Sequence, residues 1–508
     1  MNMNQLKVGA LLTYLSMGLG FIISLIYTPI MIRLLGQSEY GLYNLSASVI
    51  AYLGILNFGF GSAYIRYYSK SKVANDEEGI AKLNGMFLII FSVIAAITIL
   101  AGFTLSYYSN IVFGDNLNQS ELQTASILLI ILTINLAIQF LNIVFVSYIR
   151  ANERFVFQKT LDLFKTLLNP LLILPVLFLG FGSIGMALVI SIISLLIEVI
   201  QLRYAFKKLN ISFKIKEFDM NLFKEMTFFS SFIFLNMVID QINWNVDKFI
   251  IGRFIGTIGV AIYSLAALFN TQYLLISTAI SSVFVPRVHK IIYSENRDLE
   301  LTKLFIKIGR IQFIFLSLIL SGFILFGKPF ILLWAGEEYQ SAYYIIVVLM
   351  SAVTIPIIQN IGIEIQRALN LHKFRSLIYF IIAMVNIGIT IPLVIYFNEL
   401  GAAIGTALAL LVGNGLIMNI YYYKRVGIDI PCFWKEIFKI FPAFVIPLVL
   451  GVLFVRHYDT YSIINLIIGI TLYTLVFCIS MWMIGMNGFE KNLFTKPLKI
   501  LISKLKGY

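Results

Sequence analysis

Four polar side chains, Asn236, Asp240, Asn243 and Asp247, recur at steps of four, three and four inside a largely apolar stretch. That spacing puts them on one face of a helix. Two carboxylates and two amides on one face can hydrogen-bond sugar hydroxyls, bind a cation, or take up and release a proton, since low dielectric favours the neutral acid. Asp240 is the first candidate for coupling to a proton or sodium gradient, with Asp247 and Glu364 as further candidates. Asn236 and Asn243 are candidates for substrate contact. The competing structural account has Asp247 at the membrane interface and Asp240 satisfied by a neighbouring helix.

Cations form a second set. Arg33 and Arg253 close two apolar runs, and Lys248 stands five residues before Arg253. A ring of such groups suits a phosphate-bearing substrate, because a guanidinium grips phosphate oxygens bidentately. Snorkelling of long basic side chains near helix ends accounts for them equally. Asn360, Glu364 and Arg367 share a face at i, i+4 and i+7, so Glu364 either pairs with Arg367 or takes part in transport. Asp162 and Lys165 make a similar i, i+3 pair.

The elements that position these groups are membrane spans. Apolar residues make up 59% of the chain and charged ones 12%, far from the mix of a soluble domain. The pattern predicts about fourteen spans, each near the length that crosses a hydrocarbon core. Their runs are continuous rather than alternating, so the fold class is all-α and a barrel is excluded. The net charge of +13 does not imply nucleic acid, because of where the charges lie. With a cytoplasmic N-terminus, all of the 38 Lys and Arg except Arg33, Arg253, Lys328, Arg456, Lys165 and Lys248 fall on the inner side. Basic loops stay inside, so both termini are expected in the cytoplasm.

The first half recurs in the second. Segments 33–45 (RLLGQSEYGLYNL) and 253–265 (RFIGTIGVAIYSL) align at an offset of 220, pairing Arg33 with Arg253, Gly36 with Gly256 and Tyr43 with Tyr263. Arg150-Ala151 and Asn169 match Arg367-Ala368 and Asn386 at an offset of 217. Six spans per repeat give a parallel repeat, the arrangement of many transporters. The expected organisation is a six-helix lobe over 1–222, a second over 223–426, and an appended pair with a basic tail over 427–508. The same offset sets Ser16, Gly20, Ile23 and Tyr27 of span 1 opposite the acidic stripe. The connection 203–224 and the tail 488–508 combine lysines with apolar residues, as segments lying on an anionic leaflet do. Cys432 and Cys478 are not placed for a disulfide.

No Walker A sequence and no HExxH occur, and His289, His372 and His457 are scattered. No soluble catalytic domain has room on either face, so the chain reads as a transporter without cofactors rather than an enzyme. Residues 14–45 (YLSMGLGFIISLIYTPIMIRLLGQSEYGLYNL) and 53–70 (LGILNFGFGSAYIRYYSK) resemble the start of the Wzx-type polysaccharide flippases. The carrying features are the Thr-Pro late in span 1, RxLGxxxYGLY and FGxGxAxxRY. The resemblance implies a MATE-like fold of two lobes around a central cavity, and transport of an undecaprenyl-pyrophosphate-linked oligosaccharide to the outer leaflet of the cytoplasmic membrane. It implies as partners that lipid-linked glycan, the bilayer, and polysaccharide polymerase or assembly proteins. Arg33 and Arg66 fall inside its motifs as substrate-binding candidates, and Arg253 follows by the repeat. The acidic stripe departs from a wholly cationic cavity and leaves a cation-coupled drug antiporter of a related branch as the rival. A membrane-embedded glycan polymerase or ligase is the rival from another class, and it would need a large outer loop with catalytic Arg or His.

Overall fold

The computed structural model describes residues 5–114 and 116–495. Lysines 496, 499, 504 and 506 and the apolar residues Leu498, Leu501 and Leu505 of the basic tail lie outside the described residues. The described chain is helical, in the order α1 (Gln5–Leu35), α2 (Gln37–Leu53), α3 (Phe60–Val73), α4 (Glu77–Tyr107), α5 (Ser109–Phe113), α6 (Gln119–Ala151), α7 (Phe155–Phe178), α8 (Gly182–Leu209), α9 (Met220–Phe254) and α10 (Thr257–Ser282). There follow α11 (Val285–Ile291), α12 (Arg297–Ala335), α13 (Ala342–Ile357), α14 (Ile361–Ala368) and α15 (His372–Leu410). Beyond the short α16 (Asn419–Tyr421) come α17 (Ile430–Phe438), α18 (Pro442–His457) and α19 (Ile463–Ser480).

Among the described residues, 12 helical segments are long and apolar enough to span, and the bent pair α17–α18 makes 13. One of the 12, Phe374–Val426, has 53 residues, about 80 Å of helix at 1.5 Å per residue. It is interrupted at Asn398, where φ is 53°, between the expected spans 377–397 and 402–421. Taking that segment as two gives the fourteen expected.

Two compact units form, one of Met1–Ser264 with Val394–Glu399, the other of Leu265–Leu393 with Leu400–Tyr508. The first is built on a buried aromatic core that includes Phe60, Tyr64, Phe87, Phe91 and Phe140. Its polar groups are paired: Tyr64 donates to Asn84 Oδ1, and Asn84 Nδ2 donates to Ser212 O at 2.9 Å. Helix starts carry side-chain caps, Asp76 on α4, Asn118 with Glu121 in a capping box on α6, and Asp219 on α9, each satisfying amides that the first turn leaves open. The connection after α8 is tied to α4. Lys214 N donates to Ala81 O at 2.9 Å, and Lys82–Glu217 and Lys214–Glu78 pair at 2.6 and 2.7 Å. These contacts hold the Glu217 carboxyl below its ordinary range and raise Lys214.

The second expected span is broken inside the FGxG motif. Phe58 and Gly59 take φ of 50° and 70°, the left-handed region that suits glycine. A Cβ on Gly59 would also run into Ile233 of α9, so the break and the approach of α9 both require glycine. Gly59→Ala is expected to cost about 1–3 kcal/mol and lower the melting temperature. Adding Ile233→Ala should recover the steric part and leave the conformational part.

The second unit binds α12 to the appended helices through Phe326, Phe444, Tyr473 and Phe477. Beneath them Arg310, 4% exposed, donates from Nε and Nη2 to the two carboxylate oxygens of Glu490 at 2.7 and 3.0 Å. Its Nη1 donates to Glu436 O at 2.6 Å and its Nη2 to Gly485 O at 2.8 Å. Both cysteines are free thiols.

Candidate functional site

The polar stripe of α9 runs from open to closed. Asn236 and Asp240 are exposed, Asn243 is half-buried, and Asp247 is 2% exposed. Tyr263 of α10 donates its hydroxyl to Asp247 Oδ2 at 2.5 Å, so the deepest carboxylate has a designated donor. By the repeat, Asp247 and Tyr263 correspond to Tyr27 and Tyr43, so this acid–phenol pair has a phenol–phenol counterpart in α1 and α2. The counterpart face of α1 is packed inward: the methyl of Thr166 on α7 is 3.9 Å from where a Cβ on Gly20 would stand. Ser16, Gly20, Ile23 and Tyr27 are all half-buried.

The stripe lies beside the broken span. Ile233 fills the space over Gly59, and Phe234 stacks on Phe58 with ring centroids 4.5 Å apart. Asn236 follows Ile233 by three residues, on the same side of α9. Toward the start of α9, Arg66 of α3 is exposed and sits 4.6 Å over the ring of Phe229, a cation–π contact that leaves its donors available. Lys248 is half-buried next to Asp247 and acts on it electrostatically.

Near the other end of α9, α2 and α10 start from glycines that are repeat mates, Gly36 (φ 76°) and Gly256 (φ 104°). Just beyond them Ser38 and Thr257 both donate to Glu121 Oε1, at 2.5 and 2.8 Å. Glu39 accepts from Ser183 N at 2.5 Å, placing a carboxylate on the amide end of α8. Arg253 Nη1 donates to Ile111 O at 3.1 Å, and Asn116 Nδ2 donates to Arg253 O at 2.7 Å. Arg253 is thus engaged with α5 and the connection to α6, and it is exposed, as is Arg33 at the end of α1. The RxLGxxxYGLY motif therefore supplies the ties of this face.

Glu364 takes a 2.6 Å bond from Arg367 Nη1, three residues on. The expected Asp162–Lys165 pair does not form. Asp162 pairs with Lys159 at 3.1 Å, while Lys165 donates to Ser194 Oγ on α8 at 3.0 Å. Lys165 also acts on Glu198, a buried carboxylate one turn beyond Ser194. Sequence reasoning passed over Glu198, although Ser194, Glu198 and Gln201 repeat the spacing that singled out the α9 stripe.

The family model for polysaccharide biosynthesis proteins matches residues 6–292, more than half of the chain. The chain belongs to the polysaccharide biosynthesis protein family. It is 23% identical over 403 residues to a candidate O-antigen transporter of Shigella flexneri, covering 77% of this chain and 91% of that protein. The fold of this family member is similar to that of the lipid II flippase MurJ in an inward closed conformation, with a TM-score of 0.74 at 17% identity over 97% of this chain and 99% of that one. It is similar also to an inward-facing multidrug resistance MATE family transporter, with a TM-score of 0.62 at 15% identity over 81% and 95% of the two chains. A MOP superfamily transporter from Pyrococcus furiosus gives 0.54 at 15% over 84% and 100%. Family and fold together make the chain a multi-pass, all-α membrane protein of the polysaccharide biosynthesis family with a fold like that of MurJ and the MATE transporters.

Proposed function

We propose that this transporter moves an undecaprenyl-pyrophosphate-linked oligosaccharide from the inner to the outer leaflet of the bacterial cytoplasmic membrane, with both termini in the cytoplasm. One observation carries the reading: Asn236 and Asp240 are exposed on a membrane-spanning helix, beside a span broken at Phe58-Gly59. Such groups do not face hydrocarbon, so this face of α9 lines water. A broken span beside a polar face is where transporters of repeated halves bind their substrates. The family match, whose description is polysaccharide biosynthesis, supports a glycan as cargo.

In this reading the sugars meet Asn236, Asn243 and Asp240, while Arg66 receives pyrophosphate at the inner mouth. Lys248 and Arg33 continue the basic path outward, and Arg253 joins it when its bond to Ile111 opens. The polyprenyl tail stays in lipid, since two phosphate charges crossing hydrocarbon unsheltered would be prohibitive. With the cell interior negative, each negative charge moved outward gains about 2.3 kcal/mol per 100 mV. The two-lobe division at 222, the appended pair from 427, and contact with polymerase or assembly proteins belong to the same proposal. Glu364, held by Arg367, is the weakest of the ion-coupling candidates. The carboxylates Asp240 and Asp247 also favour a second reading, antiport of organic cations.

The test follows leaflet exchange of a labelled undecaprenyl-pyrophosphate oligosaccharide in proteoliposomes. Wild type should exchange well above empty liposomes, and Arg66→Ala or the double variant Arg33→Ala, Arg253→Ala should lose at least tenfold. Exchange at the rate of empty liposomes for several glycans, with uptake of organic cations instead, transfers the assignment to the antiporter. Asp240→Asn should weaken the response to an imposed proton gradient several-fold, and an unchanged response removes Asp240 from coupling.

A further inference from the structure

The charged pair inside the first unit has no part in the substrate path described above. Ser194, Glu198 and Gln201 share one face of α8, and they are 4%, 9% and 9% exposed. Opposite them stand Lys165 of α7 and Asn142 of α6. Lys165 Nζ donates to Ser194 Oγ at 3.0 Å, and Asn142 Nδ2 donates to Gln201 Oε1 at 2.6 Å. Asn142 Oδ1, buried, accepts no hydrogen bond among the described residues. Glu198 makes none either, although Lys165 acts on it through space. Lys165 lies about 15 Å along α7 from Phe155 and Glu198 about 24 Å along α8 from Gly182, so both sit at membrane depth.

We propose that Glu198 is a proton-binding site within the first unit, and that Lys165 moves between Ser194 and the Glu198 carboxylate as the proton leaves and returns. An ionised carboxylate in hydrocarbon needs a paired cation and donors, and otherwise takes a proton. The observed arrangement suits the protonated form, because the Lys165 ammonium bonds Ser194 and, although it has donors to spare, makes no ion pair with Glu198 among the described residues. Loss of the proton to water leaves a carboxylate about 6 Å along the helix from Ser194, within reach of the flexible lysine. The cluster then passes from one net positive charge to a neutral ion pair, with no other group transferred. The charge facing Glu198 is that of Lys165. Arg150 and Glu121 lie at the ends of α6, Arg33 ends α1, and Glu39 of α2 caps the opposite end of α8.

Because Lys165 belongs to α7 and its two partners to α8, the proton selects which turn of α8 is tied to α7. That gives a proton gradient a mechanical handle on the lobe, separate from Asp240. This coupling role rests on the flippase reading, whereas the proton site itself does not.

The experiment compares wild type, Glu198→Gln and Lys165→Met in liposomes by infrared difference titration of carboxyl groups. Between about pH 5 and pH 9, where buried glutamates titrate, Glu198→Gln should lose one titrating carboxyl. Lys165→Met should raise that titration by about one pH unit or more, since the neighbouring cation is gone. A titration identical to wild type in Glu198→Gln overturns the proposal. So does an unshifted one in Lys165→Met, which needs no change at Glu198 and serves if the first variant does not fold. Leaflet exchange on the same samples should be accelerated by a proton gradient in wild type and several-fold less so in Glu198→Gln, which keeps Asp240. The expected titrations without glycan exchange in any sample would uphold the site and reject the flippase reading.

Discussion

Arg310→Ala is expected to remove most folded protein from detergent extracts, at a cost of about 3–5 kcal/mol. The guanidinium uses all three nitrogens, on both oxygens of Glu490 and on the carbonyls of Glu436 and Gly485. Arg310 and Glu490 side chains are 4% and 3% exposed, so truncating one abandons the other as an unpaired buried charge. Asn487 N also donates to Glu490 Oε2 at 2.8 Å, so the carboxylate holds the chain beyond α19 as well. Replacing both, as Arg310→Met with Glu490→Leu, should recover part of the loss, because neither charge is then stranded. Thermal unfolding followed by size-exclusion separates the outcomes. A single variant as stable as wild type would show that this network contributes geometry without energy.

What the sequence showed and hid follows the range of the interactions. Spans were legible because twenty-residue apolar runs leave few alternatives in lipid, and Glu364–Arg367 was legible because i, i+3 partners meet on any helix. The break at Asn398 was readable as a polar gap between two runs. The break at Phe58-Gly59 was not, since FGFG is apolar throughout and only the backbone reverses. Local spacing misled at Lys165: it offered Asp162, yet burial turned Lys165 toward Ser194 and Glu198, about thirty residues away. Arg310 and Glu490 are 180 residues apart, and nothing in one sequence pairs them. The α9 stripe came through with its gradient of burial unread, because periodicity gives the face and not the depth.

Removing the two hydroxyls that meet Glu121 should open the outer end of the first unit. Ser38→Ala with Thr257→Val deletes both donors to Glu121 Oε1 and spares the capping bond from Asn118 N to Glu121 Oε2, 3.0 Å. Each hydrogen bond to a charged group is worth about 1.5–3 kcal/mol, so the pair favours the tied state by about 100-fold or more. In the proposed alternating access this tie parts, together with the bond of Arg253 to Ile111 O, once per cycle. The probe is a cysteine at Asn44, a half-buried position on α2 whose amide bonds Tyr40 O, in a chain with Cys432 and Cys478 changed to serine. An impermeant maleimide added outside should label it at least tenfold faster in the double variant than in the parent. The remaining Arg253 bond keeps the effect below the full 100-fold. If the tie is a gate rather than a clamp on loops, leaflet exchange must change with it, because a transporter biased toward one side spends longer away from the other. Equal labelling rates in parent and variant would leave Glu121 as a helix cap alone and move the outer gate elsewhere.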